Sequence, residues 1–125
     1  MNTFLTCTFA ALALITSSVS QAQDAKAHDY LIANYDIKDE ANFQAYMDAA
    51  GPLAPKFGGK VIIFDVKAKA VEGQPRSVIA VAEFPSLADA QRFYNSPEYT
   101  EARKLRIAST LGTVIMTEEY LPAAH

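Results

Sequence analysis

The spacing of apolar residues between Tyr30 and Tyr120 switches repeatedly between that of a strand and that of a helix, and the order of these switches limits the fold. "YLIANYDI" alternates with period two and predicts a strand. Asp39, a residue type that caps helices, then precedes apolar residues at helical spacing as far as "GP" at 51 and 52. "LAPKF" continues this helix with a kink, and "GG" at 58 and 59 ends it, because glycine accepts the left-handed conformation of a helix cap.

The second half of the pattern predicts two strands, two short helices and a last strand. "KVIIFDVKAKAV" and "RSVIAVAEF" flank the turn residues "EGQP", so these strands should form an antiparallel hairpin. Ser86, with Asp89 three residues later, predicts the cap of one helix, and Ser96 followed by Pro97 predicts the start of the next. "TVIMTEEY" closes the domain as a strand.

This order predicts an α+β protein with a ferredoxin-like βαββαβ sandwich whose last helix is split in two. In that fold the helices cover one face of a four-stranded antiparallel sheet. The other face would carry apolar side chains with no helix over them. We therefore expect a homodimer that packs two such sheets together, as in a dimeric α+β barrel.

The N-terminal 22 residues differ from the rest of the chain. They contain no Asp, Glu, Lys or Arg, and their apolar run "TFAALALI" is too short to span a bilayer. Small residues at Ser20 and Ala22 suit a signal peptidase, so the mature protein should begin at Gln23 and be periplasmic or secreted. An N-terminal helix that stays attached is the alternative. The predicted parts are a signal peptide at 1–22, a disordered segment at 23–29, one ferredoxin-like domain at 30–121 and a tail at 122–125.

The composition excludes several classes of function. Cys7, the single cysteine, lies inside the predicted signal, so the mature chain would have no disulfide, cysteine nucleophile or thiolate metal site. His28 and His125 stand near opposite ends without a second ligand at metal-site spacing, so we expect no metal. A net charge of -3 does not indicate the basic surface that nucleic-acid binding requires, so we expect no nucleic-acid partner. We also expect no membrane binding after signal removal. No phosphate, flavin or haem motif appears, so we expect no cofactor.

Candidate ligand-binding residues lie on the predicted strands and on the last helix. Asn34, Asp36 and Glu83 are strand residues that can line the open sheet face. Arg106 shares a helix face with Tyr99 and Ala102, so its guanidinium should need a carboxylate or carbonyl partner. That partner is either a ligand carboxylate or a partner-strand acid such as Asp36 or Glu83. The four candidates Asn34, Asp36, Glu83 and Arg106 suit a small polar or anionic ligand, and no catalytic residue is identified.

"FPSLADAQRFYNSPEY" followed by "RKLR", with "KFGGK" upstream, resembles the small bacterial family named domain of unknown function 1330, in the dimeric α+β barrel superfamily. The resemblance runs from about Tyr30 to Tyr120 and implies the dimeric ferredoxin-like fold. The chain departs from the family pattern at Lys60, where an arginine is common. Related members include cofactor-free monooxygenases and isomerases as well as domains without established chemistry, so the resemblance implies no single activity.

Two hypotheses about function follow. In the first, the protein is a non-catalytic binding or structural component of the periplasm, and dimer packing closes its cavity. In the second, it is a cofactor-free enzyme of monooxygenase or isomerase type, and Asn34, Asp36 and Arg106 orient a polar substrate in the cavity of the barrel. A solvent-connected pocket in which titratable groups converge would favour the enzyme.

Overall fold

Residues 28–123, the part of the chain that the computed structural model describes, form a four-stranded antiparallel sheet with helices on one face. The strand order is β2-β3-β1-β4, so the predicted α+β ferredoxin-like fold with a split last helix is confirmed. The predicted signal peptide, Cys7 and His125 lie outside the described residues. The elements are β1 (Asp29–Ile37), α1 (Glu40–Ala50), a 3₁₀ turn (Ala54–Phe57), β2 (Lys60–Asp65), β3 (Val78–Phe84), α2 (Leu87–Asn95), α3 (Pro97–Ser109) and β4 (Thr110–Glu118).

Local capping residues start the three α-helices at the predicted places. The carboxylate of Asp39 accepts a hydrogen bond from the backbone of Asn42 at 3.1 Å. The hydroxyl of Ser86 accepts from the backbone of Asp89 and donates to its carboxylate, a variant of the capping box in which the carboxylate binds the cap's hydroxyl and not its backbone N–H. Ser96 ends α2 and also caps α3, so the two helices meet at a single residue.

The 3₁₀ turn and the strand after it depend on two glycines. Gly58 has a φ of 76°, a left-handed conformation that favours glycine, and its backbone N–H caps the 3₁₀ turn. Gly59 is buried, and a Cβ at this position would lie 2.5 Å from a ring carbon of Phe84. The glycine pair therefore ends the turn and lets β2 begin close beside the core.

The β2–β3 hairpin is antiparallel as predicted, but the predicted second strand was too long. β2 ends at Asp65, whose carboxylate accepts from the backbone of Lys67 at 2.8 Å and turns the chain into a loop at 66–77. The residues "KAKAV" have period two, yet Val71 is 96% exposed, because the loop has no layer against which to bury a face. At the other boundary β1 begins at the buried Asp29, a residue assigned to the preceding segment by the sequence pattern.

The core lies between the sheet and the helices, and aromatic rings dominate it. Phe93 of α2 is central, with ring centroids 4.3 Å from Tyr99 and 5.2 Å from Phe84. A second cluster joins Tyr35 and Phe43, whose rings meet edge to face at 5.7 Å. Full burial of each such side chain stabilises the fold by about 1.5–3 kcal/mol, so this layer fixes which sheet face the helices cover.

The opposite face of the sheet carries an apolar row that crosses all four strands. The register places Ile63, Val81, Ile32 and Ile115 side by side, in the order β2, β3, β1 and β4. Ile63 and Ile115, at the two ends of this row, are 46% and 54% exposed. None of the helices described within residues 28–123 lies over this apolar row.

Candidate functional site

A cavity of about 130 Å³ lies between the helix-covered face of the sheet and helices α1 and α3, and it is partly open to solvent. Alanines on the central strands provide the room for it. The register sets Ala33 of β1 directly opposite Ala80 of β3 and sets Ala82 of β3 opposite Leu31. Small side chains at these neighbouring points leave space that larger residues would fill. Val61 and Phe64 of β2 form one side of the cavity.

Arg106 of α3 brings a cation into this apolar cavity. Its side chain lies on the same buried helix face as Tyr99 and Ala102, as predicted, and the residue is only 8% exposed. The Nε atom is buried and has no hydrogen-bond partner among residues 28–123. None of the ion pairs formed by the described residues involves Arg106. The cavity therefore contains a positive charge, and no carboxylate of the described residues lines it.

Two tyrosines from different helices meet beside Arg106. The hydroxyls of Tyr46 in α1 and Tyr99 in α3 lie 3.0 Å apart and share one hydrogen bond, in which either can be the donor. Each tyrosine has one O–H, and only one of the two O–H groups donates in the bond between them. The other O–H can donate to another oxygen.

Burial keeps two phenols of the cavity neutral, those of Tyr46 and Tyr35. It raises the pKa of the Tyr46 hydroxyl well above its ordinary value, and the nearby Tyr99 adds to the effect. Burial also raises the pKa of Tyr35 to about 12, although Arg106 opposes this shift. For Arg106 itself, burial disfavours the charge, but the Tyr99 and Tyr46 hydroxyls outweigh it and raise the guanidinium pKa. Near neutral pH the cavity therefore contains a charged arginine and uncharged phenols.

Asn34 and Asp36, two of the predicted site residues, lie on the other face of the sheet and bind the start of β3. The Asn34 amide donates to the carbonyls of Arg76 and Val78 at 2.9 and 2.8 Å and accepts from the Arg76 backbone at 3.1 Å. Asp36 accepts from the Arg76 guanidinium at 2.8 Å and from the Ser77 backbone at 3.0 Å. These bonds from Ser77 and Arg76 lower the pKa of Asp36. The network anchors the end of the 66–77 loop to β1.

Glu83, the third predicted site residue, pairs with His28, whose Nδ1 lies 2.7 Å from a Glu83 carboxylate oxygen. Both side chains are partly exposed, at 47% for His28 and 28% for Glu83. The structure brings Asn34 and Asp36 together but separates Arg106 from all three other candidates by the thickness of the sheet. Of the two alternatives for the partner of Arg106, a pair with Asp36 or Glu83 is therefore absent among residues 28–123, and a ligand carboxylate stays a prediction.

The sequence pattern did not predict the contact between Tyr46 and Tyr99. Helical spacing shows that each faces inward, but it does not show that α1 and α3 are neighbours. The alanines of the cavity floor were also missed. The period-two alternation of β3 places Ala80 and Ala82 on the same sheet face, and this pattern could have predicted the small residues of the cavity floor.

Two negative findings apply to the part of the chain that the structure describes. Among residues 28–123 no three His, Cys, Asp or Glu side chains converge in a way that could hold a metal ion. No helix in the same range combines the length and the apolar character that crossing a bilayer requires.

Comparison with known proteins identifies relatives of this chain. A sequence model of the family described as "Domain of unknown function (DUF1330)" matches residues 28–120. A protein of unknown function from Rhodopseudomonas palustris has 21% identity and a TM-score of 0.65, and the match covers 78% of this chain and 85% of that one. No curated protein matches the sequence significantly.

Two further solved structures have the same fold at lower identity. A dimeric ferredoxin-like protein of unknown function from Jannaschia sp. CCS1 is 13% identical, with a TM-score of 0.55 and coverage of 75% of this chain and 99% of that one. SnoaB, a cofactor-independent oxygenase from Streptomyces nogalater, is 7% identical, with a TM-score of 0.57 and coverage of 79% and 99%. At these identities the likeness shows the fold alone.

Proposed function

We propose that this chain, which belongs to the family described as domain of unknown function 1330, is a non-catalytic binding protein for a small, largely apolar molecule. The observation that supports this is the cavity of about 130 Å³ between the sheet and the helices. An apolar cavity of about 150 Å³ is large enough to hold benzene, so this one suits a single ring or a short branched chain. Small-molecule sites are typically apolar concavities with a few placed polar groups.

The cavity is partly open and titratable groups converge in it, as an enzyme would require, but the chemical nature of these groups supports binding over catalysis. Its lining within residues 28–123 includes no His, Asp or Glu, the side chains that most often transfer protons near neutral pH. Burial raises the pKa values of Tyr35 and Tyr46, so these two phenols stay protonated and cannot accept a proton near neutral pH. A proton-transfer step would therefore lack a histidine or a carboxylate in this lining.

The same proposal includes export and a homodimer. The uncharged apolar segment at 1–22 supports export, with the mature protein beginning at Gln23. The apolar row of Ile63, Val81, Ile32 and Ile115 supports packing of two sheets, burying on the order of 1,500 Å². A solved structure with this fold is described as dimeric. Intact-mass measurement of exported protein tests processing, and a mass that includes residues 1–22 would contradict it.

A cavity-filling variant tests the binding site. Ala80→Leu should place three additional carbons in the cavity, so it should abolish binding of single-ring aromatic compounds. Ala88→Leu adds the same atoms at an exposed position of α2 and is the matched control. Ligand-observed NMR with a panel of such compounds should detect binding to wild type and Ala88→Leu only. Equal binding to Ala80→Leu, or no binding to the wild type, would contradict the proposal.

The alternative function, a cofactor-free enzyme, is tested with the same variants. One neighbour in fold is a cofactor-independent oxygenase, so oxygen uptake is the first reaction to measure. We expect no uptake above the rate without protein when bound compounds are added. Uptake or isomerisation that Ala80→Leu abolishes and Ala88→Leu retains would replace the binding function with an enzymatic one.

A further inference from the structure

We propose that the molecule bound in the cavity is an apolar carboxylic acid, and that Arg106 together with the Tyr46–Tyr99 hydroxyl pair holds its carboxylate. This inference rests on the proposed binding function and adds the chemical class of the ligand. It follows from four observations on residues 28–123: the buried charge of Arg106 without a paired carboxylate, its Nε–H without a hydrogen-bond partner, a phenolic O–H beside it, and the size of the cavity.

The charge of Arg106 is the first observation. The residue is only 8% exposed, and among the described residues no carboxylate pairs with its guanidinium. A buried charge without a counter-ion carries a desolvation penalty, which a bound anion would offset. The protein therefore has a built-in preference for a negatively charged group at this point.

The second observation is the Nε–H donor of Arg106. Nε of Arg106 is buried without a hydrogen-bond partner among residues 28–123. Nε–H and one terminal N–H of a guanidinium point in parallel and bind the two oxygens of a carboxylate side by side. An unused Nε suits this two-point recognition, which a single oxygen such as an alcohol cannot complete.

The tyrosine pair supplies the second kind of contact. One O–H of Tyr46 and Tyr99 is used between the two hydroxyls, which lie 3.0 Å apart, and the other remains available to an incoming oxygen. Burial raises the pKa of Tyr46, so its phenol keeps its proton across the physiological pH range. Donors from α1 and α3 would then converge on one carboxylate.

The remaining lining determines the rest of the molecule. Opposite the polar groups the cavity is walled by alanines of the sheet and by Val61 and Phe64 of β2. With a volume of about 130 Å³ it accommodates one aromatic ring or a short branched chain, and its partly open side admits substituents. Benzoate is the simplest probe of this class, and benzamide is its neutral analogue of nearly equal shape.

Calorimetric or NMR titration with this pair of probes tests the inference. Hydrogen bonds to charged groups are worth about 1.5–3 kcal/mol, so benzoate should bind the wild type about 10- to 100-fold more tightly than benzamide. Arg106→Met should bind both probes equally, because it keeps the volume and loses the charge. Arg103→Met is the matched control, since Arg103 lies over the Tyr94 ring and outside the cavity lining.

Two more variants keep the inference falsifiable if Arg106→Met folds poorly. Tyr46→Phe should weaken benzoate several-fold while benzamide changes less, and Arg106→Lys should restore only part of the preference because it lacks the two-point fork. Equal binding of benzoate and benzamide to the wild type would overturn the acid preference and leave the binding function intact. Failure of both probes to bind would overturn the binding function and this inference together.

Discussion

Replacement of Arg106 by Met should stabilise the ligand-free protein. Met has a similar length without the charge, so it fills the stem position without leaving a void. An unsatisfied buried donor costs about 1–3 kcal/mol, and the Nε of Arg106 is such a donor. Because the cavity is partly open, the effective dielectric around the guanidinium is higher than in a closed core, which reduces this cost. We therefore expect a gain in the free energy of unfolding of about 1–2 kcal/mol.

The measurement is reversible unfolding in urea followed by circular dichroism, since the chain contains no Trp to serve as a fluorescent probe. For a domain of this size, 1 kcal/mol shifts the midpoint temperature by about 4–8 °C, so heating gives a second readout. All variants are compared at one protomer concentration, because a dimer's stability depends on it. Lys104→Met is the control: Lys104 is 67% exposed and pairs with Glu101 on the surface, so its change should stay within about 0.5 kcal/mol.

A lower free energy of unfolding for Arg106→Met would refute this reasoning. If Arg106→Met lowers the free energy of unfolding by about 3 kcal/mol or more, a carboxylate that pairs with Arg106 has been stranded, and the cation is not free for a ligand. Changes within about 0.5 kcal/mol for both Arg106→Met and Lys104→Met would refute the premise that burial penalises this charge.

Three other changes test separate parts of the structure. Gly59→Ala should lose at least about 2 kcal/mol in urea unfolding, because its Cβ would lie 2.5 Å from a buried phenylalanine ring; wild-type stability would contradict that packing. Ile115→Lys should give a monomer by light scattering while Ile107→Lys, on the exposed side of α3, leaves the dimer intact; a dimeric Ile115→Lys protein would exclude this sheet face as the interface. Hydrogen bonds from the Ser77 backbone and then from the Arg76 side chain lower the pKa of Asp36 in the folded protein below 3.8. Asp36 therefore contributes its full stabilisation at pH values above its pKa in the unfolded chain. This stabilisation is lost as the pH falls through its pKa in the folded protein. Asp36→Asn should therefore flatten the acid limb of the stability profile, and an unchanged limb would contradict this.

The parts of the fold that were predictable depend on neighbours in sequence. The pairing of Ser86 with Asp89 and the order of Ser96 and Pro97 are complete within a few residues, so a local pattern is enough to place two helix starts. The order of strands and helices then restricts the topology, because crossover connections have a preferred hand. Fold class thus followed from short-range signals.

The surroundings of Arg106 were not predictable in this way. A helical wheel places it beside Tyr99 and Ala102, which is a local fact and proved correct. Which acids are near it depends on the sheet face that the helices cover, and that is decided by long-range packing. Asp36 satisfies its carboxylate with residues of the loop before β3, 40 and 41 positions away, which no local pattern indicates.

The two faces of β1 link the polar network to the cavity. Asn34 points to the outer face and binds the backbone on both sides of residue 77, which fixes where β3 begins relative to β1. That register places Ala80 opposite Ala33 on the inner face and leaves the cavity floor clear. A slip of one residue would turn Ile79 inward and fill the space, because alternate strand residues face opposite sides. The hydrogen bonds of Asn34 thus determine the shape of a cavity that its own side chain does not enter.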